Sequence, residues 1–451
     1  MHLTELQSRR TSVRDIAVDA EERLVRATVS TLRGDIHDAM EGLRGVVEEE
    51  GIPDELQAVA LMGLGYAYRT LSRTDDAQRV LLEAVEANLR HDYVGLAQKS
   101  ACFATVAQIN SGHIRAAESS LDRVFWIAER HGLQQAPVMA LVYCSAAEIA
   151  RQRDELEGAA EYLGRADAIA KRGNDVLRLW TVSVVQAAMK LGQRLPDAAL
   201  DHLKAAEDLI DPNSMPLSGT RIRSLRARAL LMRDGPDAAG VTIFARAFQP
   251  TSEWIVRAGV MVIPGQSCDF EHLTLARLRW ATGDVDDAIR FLEELLTISR
   301  DAGRIESVIQ NLVLQARIHA AAGADARADQ ARGAAFGLSE DAPSARPFLD
   351  EGPSLLPVLR GWIERARRQH PFSDRIVTSL TSQEVAQRRV IHQTLSRREI
   401  ELLGLLAKRL TNAEISETLY ISSNTVTTHL KSIMTKPGVH SRDQAVSAAR
   451  D

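Results

Sequence analysis

The stretch Gly283-Asp284-Val285-Asp286-Asp287-Ala288-Ile289-Arg290-Phe291-Leu292-Glu293-Glu294-Leu295-Leu296 decides the fold. Gly opens a turn, acidic residues follow, and Ala closes the pattern; Ile289, Leu292, Leu295 and Leu296 then recur at helical spacing. The same pattern returns as Gly34-Asp35-Ile36-His37-Asp38-Ala39, as Ser72-Arg73-Thr74-Asp75-Asp76-Ala77, as Gly112-His113-Ile114-Arg115-Ala116-Ala117 and as Gly323-Ala324-Asp325-Ala326-Arg327-Ala328. Further copies end at Ala159, Ala198 and Ala238, so the Ala-to-Ala spacings are 38, 40, 42, 39, 40, 50 and 40. A period near 40 predicts a helix, a tight turn and a second helix per unit, with Ala where two helices cross too closely for a larger side chain. No unit buries its apolar face alone, so neighbours stack into a curved solenoid. The one wide spacing contains the irregular stretch 241–267.

Composition agrees with helices. Of 451 residues, 45% are hydrophobic and 25% charged, ordinary for a globular chain, while aromatics are 4%. Ala, Leu, Glu and Arg dominate, which argues against an all-β protein and for an all-α one. Lys and Arg number 55 against 60 Asp and Glu, a net −5, which excludes a protein that coats nucleic acid with its whole surface. A small DNA-binding module is not excluded. Cys102, Cys144 and Cys268 lie far apart with no CxxC, so they are expected as buried small hydrophobes in a reducing compartment, with no disulfide and no metal site. The start Met1-His2-Leu3-Thr4-Glu5 carries no signal segment, and the longest uncharged apolar run, 258–264, is too short to span a bilayer. A cytoplasmic protein without a membrane partner is expected.

Leu64-Gly65-x2-Tyr68 followed by Ala77-x3-Leu81 resembles the tetratricopeptide (TPR) pattern, with Leu81 where Phe is usual. Other copies keep the Ala and lose the Gly and Tyr; Thr105 and Gln108 stand in their places in the third unit. The period exceeds that of the family, so the array is TPR-like with longer helices.

Near residue 340 the character changes. Pro343, Pro347, Pro353 and Pro357 interrupt the helical period, and residues 360–389 hold seven Arg against three acids. A repeat domain over 1–370 and a linker over 371–394 are expected. From Leu395 four short helices are marked by their starts. Ser396-x-x-Glu399 and Thr411-x-x-Glu414 are capping boxes, Ser422 opens a third helix, and Ser441-x-x-Gln444 opens a fourth. Only Tyr420 and Ile421 separate the second helix from the Ser422 cap, which makes a helix-turn-helix. The expected fold is thus all-α, a TPR-like α-solenoid followed by a four-helix module over 395–451.

The string Leu395-Ser396-Arg397-Arg398-Glu399, Thr411-Asn412-Ala413-Glu414-Ile415, Ile421-Ser422-x-x-Thr425-Val426-x-x-His429-Leu430-Lys431-x-Ile433 and Gly438-Val439-x-Ser441-Arg442 resembles the LuxR-type (GerE-like) DNA-binding domain. The resemblance implies that the third helix enters the major groove and that Thr427, Thr428 and Lys431 read base edges. Ser422, Ser423, Asn424 and Thr425 at its N-terminus suit phosphate, as do Thr411 and Asn412 at the helix before. Arg397, Arg398 and His429 are further phosphate candidates, with Lys408 equally readable as a solvated side chain. The module carries 8 basic and 6 acidic residues, only +2, against 47 and 54 in residues 1–394. One copy should bind double-stranded DNA weakly, so a homodimer on two half-sites is expected. The family commonly dimerises through its last helix, here 441–450. It usually has Leu at the position of Pro437, and Pro there should end the third helix near Met434 or Thr435 and alter the dimer contact.

Arg346-Pro347-Phe348-Leu349-Asp350-Glu351-Gly352-Pro353 between repeats and such a module looks like the C-terminal half of the large MalT-like (LAL) regulators. Those carry an ATPase, whereas this chain has no GxxxxGK[ST], and no GxSxG or HExxH either. Nucleotide control is expected to be absent, supplied by a separate protein, or lost because the chain is truncated, with the start at Met1 favouring the first two; no cofactor and no enzyme activity are expected. The leading function is a bacterial transcription regulator working with RNA polymerase. Its repeat domain would receive a small-molecule or protein effector. An interaction scaffold whose C-terminal module mainly dimerises is the alternative. The stretch with Phe244, Phe248 and Trp254, together with Trp280 and the pair Phe125-Trp126, either packs helix crossings or lines an effector pocket.

Overall fold

The computed structural model describes residues 2–33, 35–71, 73–210, 216–235, 241, 269–341, 344–366, 371–408 and 410–434. Helices α1 (His2–Arg33), α2 (Ile36–Glu48), α3 (Asp54–Thr70), α4 (Thr74–Arg90), α5 (Val94–Ser111) and α6 (Ile114–Arg130) open the chain. They are followed by α7 (Val138–Gln152), α8 (Leu156–Gly173), α9 (Val176–Gly192), α10 (Pro196–Leu209) and α11 (Pro216–Asp234). After the 241–267 stretch come α12 (Phe270–Ala281), α13 (Val285–Asp301), α14 (Ile305–Ala321), α15 (Asp325–Asp341) and the single turn α16 (Arg346–Leu349). Then α17 (Leu356–Ala366) and α18 (Pro371–Thr394) lead to α19 (Arg397–Ala407), α20 (Asn412–Leu419) and α21 (Ser423–Met434). Consecutive helices pack on one another, and no strand occurs among the described residues, so the fold is an all-α solenoid with a helix-turn-helix.

The repeat signature has one structural position. Ala39, Ala77, Ala117, Ala159, Ala288 and Ala328 each donate their backbone N–H to the carbonyl four residues back, at 2.9–3.1 Å, and each is fully buried. They close the first turn of the second helix of a unit, where the first helix crosses. In the fifth copy that place belongs to Ala199, not Ala198: α10 starts at Pro196 after the cap Leu195, so Ala199 makes the bond to Leu195 and is fully buried while Ala198 is half-exposed. Ala238 lies outside the described residues.

Residues 371–394, expected as a linker, are the helix α18, and its first three turns belong to the repeat core. Phe372, Ile376 and Leu380 are buried in one cluster with Phe336, Phe348 and Leu359. Phe336 is the hub, with ring centroids 4.6 Å from Phe348, 5.0 Å from Trp362 and 5.9 Å from Phe372. Pro371 sits at the first helical position, where its missing N–H costs nothing, so it starts a helix rather than breaking one.

The array curls far enough for distant units to meet. A strap, residues 344–355, lies across α7. Ala345 donates its N–H to the Gln152 carbonyl at 3.1 Å. Arg346, fully buried, donates to the Arg151 carbonyl and to Asp154 at 2.9 Å, and to Asp350 at 3.1 Å. Arg151 in turn reaches Asp350 at 2.9 Å, and Gln152 donates to both Glu148 at 2.8 Å and Glu306 of α14 at 3.2 Å. Glu351 receives Arg277 and Arg317 from α12 and α14. Phe348 and Leu349 turn the other way into the aromatic cluster. In Arg346-Pro347-Phe348-Leu349-Asp350-Glu351-Gly352, three residues thus serve closure as charge (Arg346, Asp350 and Glu351) and two as core (Phe348 and Leu349).

Candidate nucleic-acid interface

The C-terminal module is built on a small separate core. Leu395, Leu402, Leu403, Leu406, Ile415, Val426 and Ile433 are buried together, with Leu419, Ile421 and Leu430 at the edge. Both capping boxes form. Ser396 Oγ accepts from the Glu399 N–H at 3.3 Å while the Glu399 carboxylate accepts from the Ser396 N–H at 2.7 Å. Thr411 and Glu414 repeat the arrangement at 3.3 and 2.7 Å, and these bonds, led by the backbone N–H of Thr411, hold the Glu414 carboxyl below its ordinary range. Ser422 Oγ accepts from the Thr425 N–H at 3.1 Å and starts α21. Tyr420 takes the left-handed conformation, φ 54°, at the end of α20, which turns the chain within two residues into α21.

Side chains lock the two helices of the motif to α19. Glu399, only 3% exposed, also accepts from Ser432 Oγ of α21 at 3.1 Å. Ser423 Oγ donates to Ser416 Oγ of α20 at 3.2 Å. Arg398, a phosphate candidate in the sequence, donates to the Leu419 carbonyl at the end of α20 and to Glu401 at 2.8 Å, so its guanidinium braces the motif. Arg397 and Lys408 are exposed.

Most of the candidate readers lie on the surface of α21. Thr427 and Thr428 are exposed on α21, and Ser422, Ser423 and Asn424 are exposed at its N-terminus beside the half-buried Thr425. The Thr427 hydroxyl donates to the Ser423 carbonyl at 3.0 Å and the Thr428 hydroxyl to the Asn424 carbonyl at 2.9 Å. With their protons engaged within the helix, the two hydroxyls present lone pairs outward, suited to a base amino group, alongside methyls suited to thymine. Lys431 follows Thr427 by four residues, one turn along the same helix. His429 is half-buried, Thr411 is exposed and Asn412 half-buried at the start of α20. The fourth helix, 441–450, and Pro437 lie outside the described residues.

Of the aromatics considered for an effector pocket, Phe244, Phe248 and Trp254 lie outside the described residues. Phe125 packs on Tyr143 with ring centroids 5.7 Å apart. Trp126 is 47% exposed between Arg123 and Arg130, so it is a surface residue rather than a packing one. Trp280 lines a cavity with Arg194, Arg228, Arg277 and Arg317, four residues that the sequence reading missed because they come from four separated segments. Cys102 and Cys144 are buried, and burial pushes both thiols up to about 12, as befits inert core residues.

A helical-repeat solenoid joined to a capped, tightly braced helix-turn-helix defines a class: a repeat protein carrying a DNA-binding type of module. Comparison with known proteins narrows it. Residues 20–365 match the MalT-like TPR region, and the chain belongs to that family; residues 393–449 match the bacterial regulatory proteins of the luxR family. The HTH-type transcriptional regulator MalT of Klebsiella pneumoniae (strain 342) is 22% identical over 467 residues, covering 97% of this chain and 50% of the relative. MalT of Cronobacter sakazakii (strain ATCC BAA-894) is 22% identical over 513 residues, covering 99% and 53%. The transcriptional regulatory protein LiaR of Bacillus subtilis (strain 168) is 46% identical over 54 residues, covering 12% of this chain and 26% of that protein. The chain thus spans about half the length of the MalT relatives. No described helix is long and apolar enough to cross a membrane.

Proposed function

We propose that the chain is a sequence-specific, DNA-binding transcription regulator of the bacterial cytoplasm. Its repeat domain, from the N-terminus to the buried turns of α18, receives a signal. The rest of α18 links it to the module from Leu395 onward, which docks α21 in the major groove. The observation that carries this is the outward face of α21. Thr427 and Thr428 are exposed with outward lone pairs, and Ser422, Ser423 and Asn424 are exposed at the end of the helix that favours phosphate. The names of the MalT and LiaR relatives, both transcriptional regulators, support the same reading; a regulator of this kind would act with RNA polymerase.

The module's +2 supplies little non-specific attraction, so affinity rests on a few placed contacts and on two modules binding together as a homodimer. The test is a mobility-shift titration of the full chain with promoter fragments at two or more salt concentrations. A Thr427→Ala/Thr428→Ala/Lys431→Ala variant should lose more than about tenfold in affinity for its preferred site and show a shallower salt dependence. Undiminished, salt-insensitive binding by that variant would sink groove reading by α21. Failure of the wild-type chain to retard any promoter fragment would favour the scaffold.

A further inference from the structure

Four arginines from four segments line one cavity beside the strap. Arg194 follows α9, Arg228 lies on α11, Arg277 on α12 and Arg317 on α14. They line a cavity of about 400 Å³, the size of small-molecule sites. Glu351 takes Arg277 and Arg317; burial alone would raise its carboxyl, but the two guanidiniums outweigh burial and hold it well below the usual range. Asp350 is occupied by Arg151 and Arg346. Arg194 and Arg228 have no carboxylate within ion-pair distance among the described residues. Arg194 Nε is buried without a hydrogen-bond partner, and the Arg228 guanidinium rests over the Phe270 ring at 5.0 Å. Burial and the like charge of Arg277 push Arg228 down to about 10; burial and Arg317 push Arg194 down as well. Asp350 and Glu351 lie close enough to offset part of this, but both carboxylates are already bonded to other arginines, so Arg194 and Arg228 are partly desolvated cations without a direct ion pair, a cost that an incoming anion relieves.

Arg194 sits at φ 62°, in the turn position where other copies have Gly112, Gly283 and Gly323, at φ 83°, 91° and 73°, and Asp154, at φ 67°. The left-handed conformation belongs to the repeat turn; glycine adopts it freely, whereas an arginine bears it with some strain. Its guanidinium lies against Gly352, where a Cβ would come within 3.0 Å of Arg194 Cζ. Leu231, Met232 and Trp280, half-buried in the same lining, supply apolar surface.

We propose that this cavity binds a small organic anion, its carboxylate or phosphate held between Arg194 and Arg228 and its apolar body against Leu231, Met232 and Trp280. As the signal of the regulator it rests on the function proposed above; as a binding site it stands on the cavity alone. The strap gives it an outlet: Asp350 and Glu351 face the arginines while Phe348 packs on Phe372 of α18, with ring centroids 5.8 Å apart.

The test uses the full chain and a fluorescent anionic probe, anilinonaphthalene sulfonate, with neutral phenylnaphthylamine as its uncharged counterpart. The sulfonate should bind saturably, and Arg194→Gly and Arg228→Met should each weaken it about tenfold while leaving the neutral dye unchanged. Arg194→Gly relieves the left-handed strain, so its melting temperature should not fall, and weakened binding there cannot be ascribed to unfolding. Displacement by phenyl phosphate but not benzoate would assign the phosphate, and the reverse the carboxylate. Sulfonate binding unchanged in both variants, or displaced by neither competitor, would overturn the site. The predicted dye pattern in a chain that retards no DNA would keep the site and remove the regulator.

Discussion

Gly65 shows how a single residue sets the spacing of two helices. A Cβ built on it would lie 2.5 Å from Leu81 Cγ and 2.7 Å from Cδ2. Leu81 is fully buried, as is Ala77 one turn earlier. Gly65→Ala should therefore destabilise the N-terminal units by about 1–3 kcal/mol, seen as a lower midpoint in urea for probes in α3 and α4. The contrast with Thr105, fully buried at the corresponding place one unit later, is instructive: its hydroxyl bonds to the Ala101 carbonyl at 2.9 Å, so a larger residue is seated there. The Gly65 position was legible as part of a motif. What makes it necessary, Leu81 in place of an aromatic, is a contact.

At the scale of elements, the helix starts of the C-terminal module were the most legible feature of the chain. A cap bonds to residues three positions away, so sequence alone brings its partners together. The bracing between helices was not legible. Glu399 reads as the end of a capping box, yet it also accepts from Ser432 across the motif. Glu399→Ala should then cost more than a cap alone, about 1–3 kcal/mol, and Glu399→Gln less. Limited proteolysis of the full chain should show the module cut first in the alanine variant. Arg398 was read as a phosphate contact because its charge is visible in sequence and its acceptor, the Leu419 carbonyl, is not. Residues 371–394 were read as a linker because Pro and Arg are common in linkers; Phe372, Ile376 and Leu380, spaced at helical intervals, were the signal that they also pack.

For the whole molecule, closure of the superhelix brings together groups some 150 residues apart. Glu306 is the pH-sensitive member of that contact. Burial, with Glu148 nearby, raises its carboxyl from 4.5 to about 6. The folded chain then holds a proton that the unfolded chain releases, so the contribution of this group is fully present below pH 4.5 and is lost as pH rises through about 6. The decline from this group is on the order of 2 kcal/mol, and Glu306→Gln should remove it, raising the melting temperature at neutral pH by a few degrees. Thermal scans from pH 4.5 to 8 measure both. By itself the sequence determined the helical class, the repeat period and the helix-turn-helix, because each rests on periodicity or on bonds between near neighbours; the segment 346–353 stood out only by family resemblance. Only the tertiary structure decided that the strap bridges α7, α12 and α14, and that four scattered arginines share one cavity with too few carboxylates. Those arrangements depend on how far the solenoid curls, a sum of small rotations at each buried Ala crossing that no local pattern encodes.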